Sequence, residues 1–366
     1  MLDVKLKIKP GHTNERSWMT PAPVKTFFWN VTYRCNYHCG ICFTDAGGNR
    51  DDELTTVEAK DLIRTLHNMG IRDLILSGGE PFMRKDIDEL LAFMGDLEIT
   101  ARIATNGYPL SQERLEFLRN KTRTKSFQVS LDTLDPGKYD RFHGSPGGAI
   151  HKVLENLSLM KSMGFHTTVS VRLTPETLPG INDILDRAAL EGWATVTIHF
   201  PLHTNRTENS YSQDEEFFEI LKPVFEHFLK IPHWLIETYI PWAEYHPVVK
   251  RFREKIRFVH RGCSAGRDHF TISPAGWLSP CVCMDLPEVY LGNVREKSPE
   301  ELIRDSSLCK MFRKPWDYGI CRDCELVTKC GGGCRAAAFS MTGRLDGLDG
   351  TCPVRKARKT GDALVK

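Results

Sequence analysis

No run of eighteen apolar residues occurs in the chain, so the sequence offers no candidate membrane-spanning helix. The opening stretch, MLDVKLKIKPGHTNERSW, lacks the apolar segment of a secretion signal, and the expectation is a soluble, cytoplasmic protein. Neither sign of charge is in surplus: 49 Lys and Arg face 47 Asp and Glu, a net charge of +2. That balance gives no electrostatic ground for a nucleic-acid partner or for docking on an anionic membrane. Internal repeats and low-complexity tracts are missing as well. The most informative absence concerns cysteine. The 366 residues hold 12, yet none lies between Cys42 and Cys263. Ordinary core thiols would scatter, whereas these cluster. In a reducing compartment, clustered thiols point to metal binding or catalysis rather than to disulfides.

What fills the gap is a regular alternation. Residues 26–33 (TFFWNVTY) read as a buried strand, and 55–70 carry helical spacing with Leu62, Ile63, Leu66 and Met69 on one face and Gly70 as the stop. Strands at 71–77, 98–105, 126–132, 166–173 and 194–200 then alternate with helices at 86–95, 111–120, 149–164, 181–192 and 212–230. Six strand–helix units in sequence imply an α/β fold with a parallel sheet and helices outside. The count is too small for an eight-fold barrel, so an open barrel and a doubly wound sheet both fit. Either places the active site at the carboxyl ends of the strands. After about residue 240 the chain turns rich in Pro and aromatics, then in Cys and Gly, as in a small domain held by metal.

Directly after the first strand stands CNYHCGIC, with Cys35, Cys39 and Cys42. A structural zinc site wants four ligands, and His38, wedged between two of the thiols, is poorly placed to be one. A cubane iron–sulfur cluster held by three thiolates keeps one iron open, which catalysis can use. One strand later comes SGGEP, Ser77 to Pro81. Gly78 and Gly79 allow close backbone approach, and Glu80 or loop carbonyls can receive an ammonium group. Alone, GGEP is an ordinary turn.

Together these motifs resemble the signature of the radical S-adenosylmethionine (SAM) enzymes. The resemblance implies a partial (β/α)6 TIM-like barrel whose open cluster iron is chelated by the amino and carboxylate groups of SAM. Reductive cleavage then yields a 5′-deoxyadenosyl radical that takes a hydrogen atom from substrate. It also implies SAM contacts from Gly78, Gly79, Glu80 and Pro81, from Asn106 in Thr105-Asn106-Gly107, from Ser130 and Asp132, from Arg172 toward the carboxylate, and from Ile198 or His199 at the adenine. Each has a plainer alternative as a turn, a cap or a surface charge. The residue before the third cysteine is usually aromatic in this family. Here it is Ile41, whose backbone still suits the adenine, with Phe43 as a substitute ring.

The later cysteines run Cys263, Gly276, Cys281, then Cys321, Cys324, Cys330, Cys334 and Cys352, with CGGGCRAAAFSMTG at 330–343 and SPAGWLSPC at 273–281. This resembles the seven-cysteine SPASM domain that follows the barrel in many radical SAM enzymes. The implied ligand sets are Cys263, Cys281 and Cys334 for one auxiliary cluster and Cys321, Cys324, Cys330 and Cys352 for a second. Cys283 falls outside that pattern and is read as a fourth ligand, a hydrogen-atom donor or a bystander. Cys309 reads as a plain buried thiol. The implied organisation is an N-terminal extension at 1–25, the barrel at 26–235, a linker at 236–262, a SPASM domain at 263–352 and a tail at 353–366. The expectation is a monomeric oxidoreductase fed by a reductant such as flavodoxin or ferredoxin, acting on a small-molecule biosynthetic substrate by oxidation, decarboxylation or epimerisation. The 34 residues before Cys35 are too few for a peptide-recognition domain, so a peptide substrate would need presentation by a separate protein. Tyr33, His203 and Asp285 are unranked acid–base candidates. A non-catalytic electron carrier or zinc scaffold is the alternative of a different class.

Overall fold

A computed structural model describes residues 24, 26–48, 50–199, 216–231, 236–238, 256–258, 263–324, 326–349 and 352. The expected extension at 1–25 (apart from Val24), the tail at 353–366 and His203 lie outside the described residues.

The alternation in sequence becomes an alternation in space. In chain order come β1 (Thr26–Asn30), α1 (Thr56–Asn68), β2 (Asp73–Ser77), α2 (Ile87–Asp96), β3 (Thr100–Thr105), α3 (Gln112–Lys121) and β4 (Thr124–Ser130). There follow α4 (Pro136–His143), α5 (Ala149–Ser162), β5 (His166–Arg172), α6 (Ile181–Glu191), β6 (Thr195–His199) and α7 (Glu216–Leu229). Strands β1 to β6 pair in sequence order, all parallel. Two short strands, β7 (Ile236–Thr238) and β8 (Ile256–Phe258), extend that order within the stretch expected as a linker at 236–262. On the other flank of β1 lies β9 (His269–Ile272), again parallel, then antiparallel β10 (Trp277–Ser279) and β11 (Gly292–Asn293). The result is a mostly parallel sheet with helices on one face, a partial TIM-like barrel, and the Cys-rich region enters through the sheet itself.

Local chemistry explains the pieces. Thr55 closes a capping box with Glu58 at the start of α1, and its apolar stripe, Leu62, Ile63 and Leu66, joins the core that also holds Phe27 and Trp29 of β1. Alternation sends the other residues of each strand inward. Gln128 of β4 and His199 of β6 meet across β5 at 3.0 Å, which marks the inner face, and Arg172, in register with His199, shares it. That face is polar, as a ligand cavity requires. Ile198 belongs instead to the core under the helices, so His199 is the member of that pair facing the cavity.

The Cys-rich region adds α8 (Pro299–Asp305), α9 (Ser307–Phe312), α10 (Val327–Cys330) and α11 (Arg335–Thr342). The helix-like run SPEELIRDSSLCKMF is two helices broken at Ser306, which caps α9 by accepting from the amide of Cys309. Arg295 bonds the Glu58 carboxylate (2.6 Å) and the carbonyl of Ala275 (2.8 Å), tying this region to α1. No helix among the described residues is long and apolar enough to cross a membrane.

Candidate active site and metal centres

The cysteine loop after β1 lies at the carboxyl ends of the strands, where the fold class puts its chemistry. Several neighbours each hold one point of it. Glu53 accepts from Thr32 Oγ1 (2.9 Å) and from the amide of Tyr33 (2.7 Å). The amides of Gly79 and Glu80 donate to the carbonyls of Thr32 and Arg34, both at 2.8 Å. Asn106 Nδ2 donates to Asn36 Oδ1 (2.8 Å), and Arg172 Nη1 to the carbonyl of Ile41 (3.0 Å). The thiols are addressed as well. Tyr37 N donates to Cys35 Sγ and Ala46 N to Cys42 Sγ, each at 3.4 Å, while Cys39 Sγ lies 3.5 Å from His143 Nδ1. Burial pushes the Cys35 thiol up to about 11 and raises that of Cys39 further, with Cys42 raising both. Three thiolates this close need a compensating positive charge, which cluster iron supplies. Three sulfurs in one loop, with N–H donors already aimed at them, fit an iron–sulfur cluster. Among the described residues, no three His, Cys, Asp or Glu side chains gather round one point as ligands of a single ion do, and cubane thiolates stand farther apart than that.

SGGEP fits against this loop. A Cβ on Gly79 would fall 2.2 Å from the carbonyl oxygen of Arg34, so the space left by the missing side chain is taken by the cysteine loop. Glu80 is fully buried, and both its oxygens are committed: Thr105 Oγ1 donates at 2.8 and 2.9 Å, Asn106 N at 2.7 Å and Phe82 N at 3.3 Å. Burial pushes Glu80 up to about 7 despite those bonds. Those bonds make it a brace between the ends of β2 and β3. Pro81 opens the buried turn Pro81–Met83 that follows.

Asp132 is buried and accepts from the amide of Arg172, and its Oδ2 lies 3.2 Å from His143 Nε2. Arg172 thus spans the loop carbonyl of Ile41 and the ring of Phe43, 5.7 Å from its guanidinium carbon. Ser130 stands half-buried on the inner face beside it. Burial and the charge of Arg172 hold His199 down to about 4, a neutral ring. On the β1 and β9 side, Tyr290 Oη donates to Asp285 Oδ1 (2.9 Å), and burial raises the carboxyl of Asp285. Asn30, fully buried at the end of β1, faces Asp285 without a completed hydrogen bond. Tyr33 is also raised, by burial and by Asp285, with Arg50 stacked 4.2 Å over its ring. Sequence reasoning named Tyr33 and Asp285 but missed Asn30, Tyr290 and His143. Of these, His143 carried a signal: Asp135-Pro136 is a helix start, and Tyr139, Phe142 and His143 share the face that follows.

The later thiols fall into two sets. Cys281 and Cys283 share a hydrogen bond that raises the first and lowers the second, and Arg172 also lowers Cys283. Cys334 is raised by burial and by Cys263 and Cys283. Cys330 is raised by burial and by Cys352 and Cys321, and Cys321, at about 11, by burial and by Cys352 and Cys324. Asp349 receives the amide of Cys334 at 2.7 Å and lies between the two sets. Cys309 is fully buried in the main core.

Residues 29–188 match the radical SAM superfamily and residues 263–325 match an iron–sulfur cluster-binding domain, SPASM. An AdoMet-dependent heme synthase of Oleidesulfovibrio alaskensis is 28% identical over 90% of this chain and 87% of its own length. A mycofactocin maturase of Mycobacterium tuberculosis is 26% identical over 88% of this chain and 81% of its own. The solved structure of Streptococcus suis SuiB bound to its precursor peptide SuiA superposes with a TM-score of 0.72 at 17% identity, covering 91% of this chain and 76% of that one. The protein is an enzyme that uses SAM and a [4Fe–4S] cluster, and it belongs to the radical SAM superfamily with a C-terminal SPASM domain.

Proposed function

We propose that the enzyme abstracts a hydrogen atom from a small-molecule substrate, with Cys35, Cys39 and Cys42 holding the SAM-binding cluster. The cluster and SAM, when bound, supply reductive sulfonium cleavage and hydrogen-atom abstraction. The chain's own residues position and enclose. Arg172 fixes the Ile41 carbonyl that borders the adenine, and His199, kept neutral and held by Gln128, offers a ring edge without charge. Ser130 and Asn106 line the inner face, and Glu80 and Asp132 keep the strand ends in register with the loop. Loop carbonyls, rather than Glu80, receive the ammonium group. The substrate's polar group meets Asn30, Tyr33, Asp285 and Tyr290, and that cluster, buried at Asn30 and Tyr33 and half-buried at Asp285 and Tyr290, is the observation that carries the reading. The side-chain amide of Asn30 lacks a completed bond and is open to a ligand, and burial raises the carboxyl of Asp285 beside it.

Two auxiliary clusters complete the proposal, one on Cys263, Cys281, Cys283 and Cys334 and one on Cys321, Cys324, Cys330 and Cys352. The contact of Cys283 with Cys281, and its effect on Cys334, support it as the fourth ligand of the first. Such clusters accept an electron from a substrate radical and favour net oxidation. Their ligand shell extends past the residues that match the domain, since Cys330, Cys334 and Cys352 lie beyond 325. The proposed setting is cytoplasmic, with flavodoxin or ferredoxin as the reductant.

The test is anaerobic. Protein reconstituted with iron and sulfide should hold about twelve irons per chain and form 5′-deoxyadenosine with dithionite. Tetrapyrroles come first as substrates, because heme synthases are among the relatives. A deuterated substrate should pass its label to deoxyadenosine. A second reading is favoured by the maturase relatives: a ribosomal peptide presented by a separate protein. Label transfer from a carrier-bound peptide, with none from any small molecule, would establish that reading instead.

A further inference from the structure

Cys39 meets a side chain with a history of its own in this fold. His143 is the last residue of α4, and its ring nitrogens face two buried groups. Nδ1 lies 3.5 Å from Cys39 Sγ, and Nε2 lies 3.2 Å from Asp132 Oδ2, close enough for an ion pair though not aligned as a hydrogen bond. The ring is almost wholly buried. Tyr139 packs on it at 4.3 Å and Phe142 stands edge-on at 5.3 Å, with Tyr37 of the cysteine loop at 6.1 Å. The backbone fixes the same junction. His38 N donates to the carbonyl of His143 at 3.1 Å, and a Cβ on Gly144, at φ +54°, would fall 2.6 Å from the carbonyl oxygen of His38. The end of α4 is therefore locked onto the loop between Cys35 and Cys39.

Cysteine, imidazole and carboxylate in a row also spell the nucleophile, base and orienting acid of a cysteine hydrolase. Two observations oppose that reading. Cys39 shares its loop with two further thiols, and burial raises it, the reverse of an activated nucleophile.

We propose that His143 is a positioning residue for the SAM-binding cluster: its Nδ1–H donates to the Cys39 thiolate, with Asp132 holding the ring. Hydrogen bonds to cluster sulfurs withdraw electron density and raise the reduction potential. All three thiols have backbone hydrogen bonds, which mutation cannot readily remove, and Cys42 also meets the Thr44 hydroxyl; on Cys39 the ring of His143 is a side-chain donor that can be exchanged. Asp132 couples this ring to the next strand, because its other oxygen accepts the amide of Arg172, whose guanidinium holds Ile41. One buried carboxylate thus orders both the ligand donor and the loop that borders SAM. The inference rests on Cys39 being a cluster ligand.

The experiment compares full-length wild type with His143→Phe, which keeps the ring and loses the donor, and His143→Asn, whose Nδ2 can stand near Nδ1. Each is reconstituted anaerobically. The midpoint potential is read by EPR on the cluster whose signal changes when SAM is added. The expected result is a more negative potential in the Phe variant and an intermediate one in the Asn variant, with unchanged iron content. A Phe variant titrating at the wild-type potential overturns the proposal and leaves His143 as packing. If the Phe variant holds about four irons fewer, an Asn variant with the full complement supports the donor role, and loss of iron from both overturns it. Wild type with no SAM-responsive cluster would overturn the ligand assignment itself, and that outcome is separable because it precedes any variant.

Discussion

One continuous core runs through the barrel, from Phe27 and Trp29 through Leu66, Leu74, Phe127 and Val169 to Ile198. Beyond Cys281 only Leu302, Ile303, Cys309 and Cys330 among the described residues reach that core as buried members, and the rest of the apolar packing is thin: a cluster around Met284 and Phe312 that also takes in Ala265, and one of three residues around Tyr318. Cysteine sulfur is part of that packing, since Cys263, Cys281, Cys283 and Cys334 border the first cluster and Cys321 sits within the second. A buried aliphatic or aromatic side chain contributes about 1.5–3 kcal/mol, so a handful of them cannot hold a domain against chain entropy. The polar ties here are specific but few. Arg335 is buried, reaches the carbonyls of Gly332, Leu345 and Gly347, and stacks 4.5 Å from Tyr318. The comparison teaches where thiols carry packing: in the first region they sit on a loop beside a continuous apolar core, whereas in the second they stand among few apolar neighbours, and metal held by them would supply much of the missing cohesion.

The sharpest way to break that contrast is a pair of alanine variants. Cys39→Ala should reduce deoxyadenosine formation to background and lower iron by about four atoms per chain. The fold of both regions should be retained. Cys321→Ala should leave SAM cleavage measurable and loosen residues 315–349, seen as faster amide exchange. Retained reductive cleavage in Cys39→Ala would remove that thiol from the active cluster.

Iron removal under strictly reducing conditions makes the same contrast without mutation. Amides of β2 to β5 should keep their protection, because their hydrogen bonds lie inside the apolar core. Amides between 281 and 349 should exchange faster by orders of magnitude, as in other metal-dependent folds. Equal loss in both regions would mean that the barrel, too, depends on metal.

Much of the barrel was legible because it rests on local signals. The stripe Leu62, Ile63 and Leu66 and the strand IRDLILS needed only periodicity, and the capping box at Thr55 is itself a sequence pattern. The pairing of β9 with β1 was not legible. It joins residues more than 240 positions apart, and nothing in HFTI encodes its register with TFFW. Strands β7 and β8, three residues each, fall below any useful window, so 236–262 read as a linker. Helix α4 was passed over because PGKYDRFH is short and polar, and with it went His143. Within the site, the spacing marked the cysteines and SGGEP as candidates, with Glu80 or the loop carbonyls as the ammonium acceptor, but not how Glu80 is bonded. Its partners within the chain, Thr105 and the amide of Asn106, come from the end of another strand and could not be read from the motif.

Glu80 gives a smaller effect with a definite sign. Its carboxyl is raised from 4.5 to about 7. The folded state therefore binds more protons than the unfolded one between those values, and stability falls as pH rises through that window. A shift of this size corresponds to about 3 kcal/mol. Glu80→Gln keeps an acceptor for Thr105 and removes the ionisation. Its melting temperature should vary less between pH 5 and pH 8 than that of the wild type, with the gap closing toward low pH. Parallel profiles for the two proteins would show that burial of Glu80 is not what sets the slope.

The smallest effect separates the two cysteines that stand outside the seven-cysteine pattern. Cys309 is fully buried among apolar neighbours of the core, and its amide serves the cap of α9 whatever its side chain. Cys309→Ala removes one sulfur from a packed site, at a loss of about 1 kcal/mol, and should leave iron content, EPR spectra and SAM cleavage as they were. Cys283→Ala removes the partner of Cys281 and should alter the spectrum of one auxiliary cluster while costing little in the melting of the barrel. The pair asks whether position outside the pattern predicts role. If Cys309→Ala changed the iron count, the line between packing thiols and ligand thiols would have to be redrawn at α9. If Cys283→Ala left every cluster signal unchanged, its contact with Cys281 would be packing too, and the first auxiliary cluster would hold three protein thiolates.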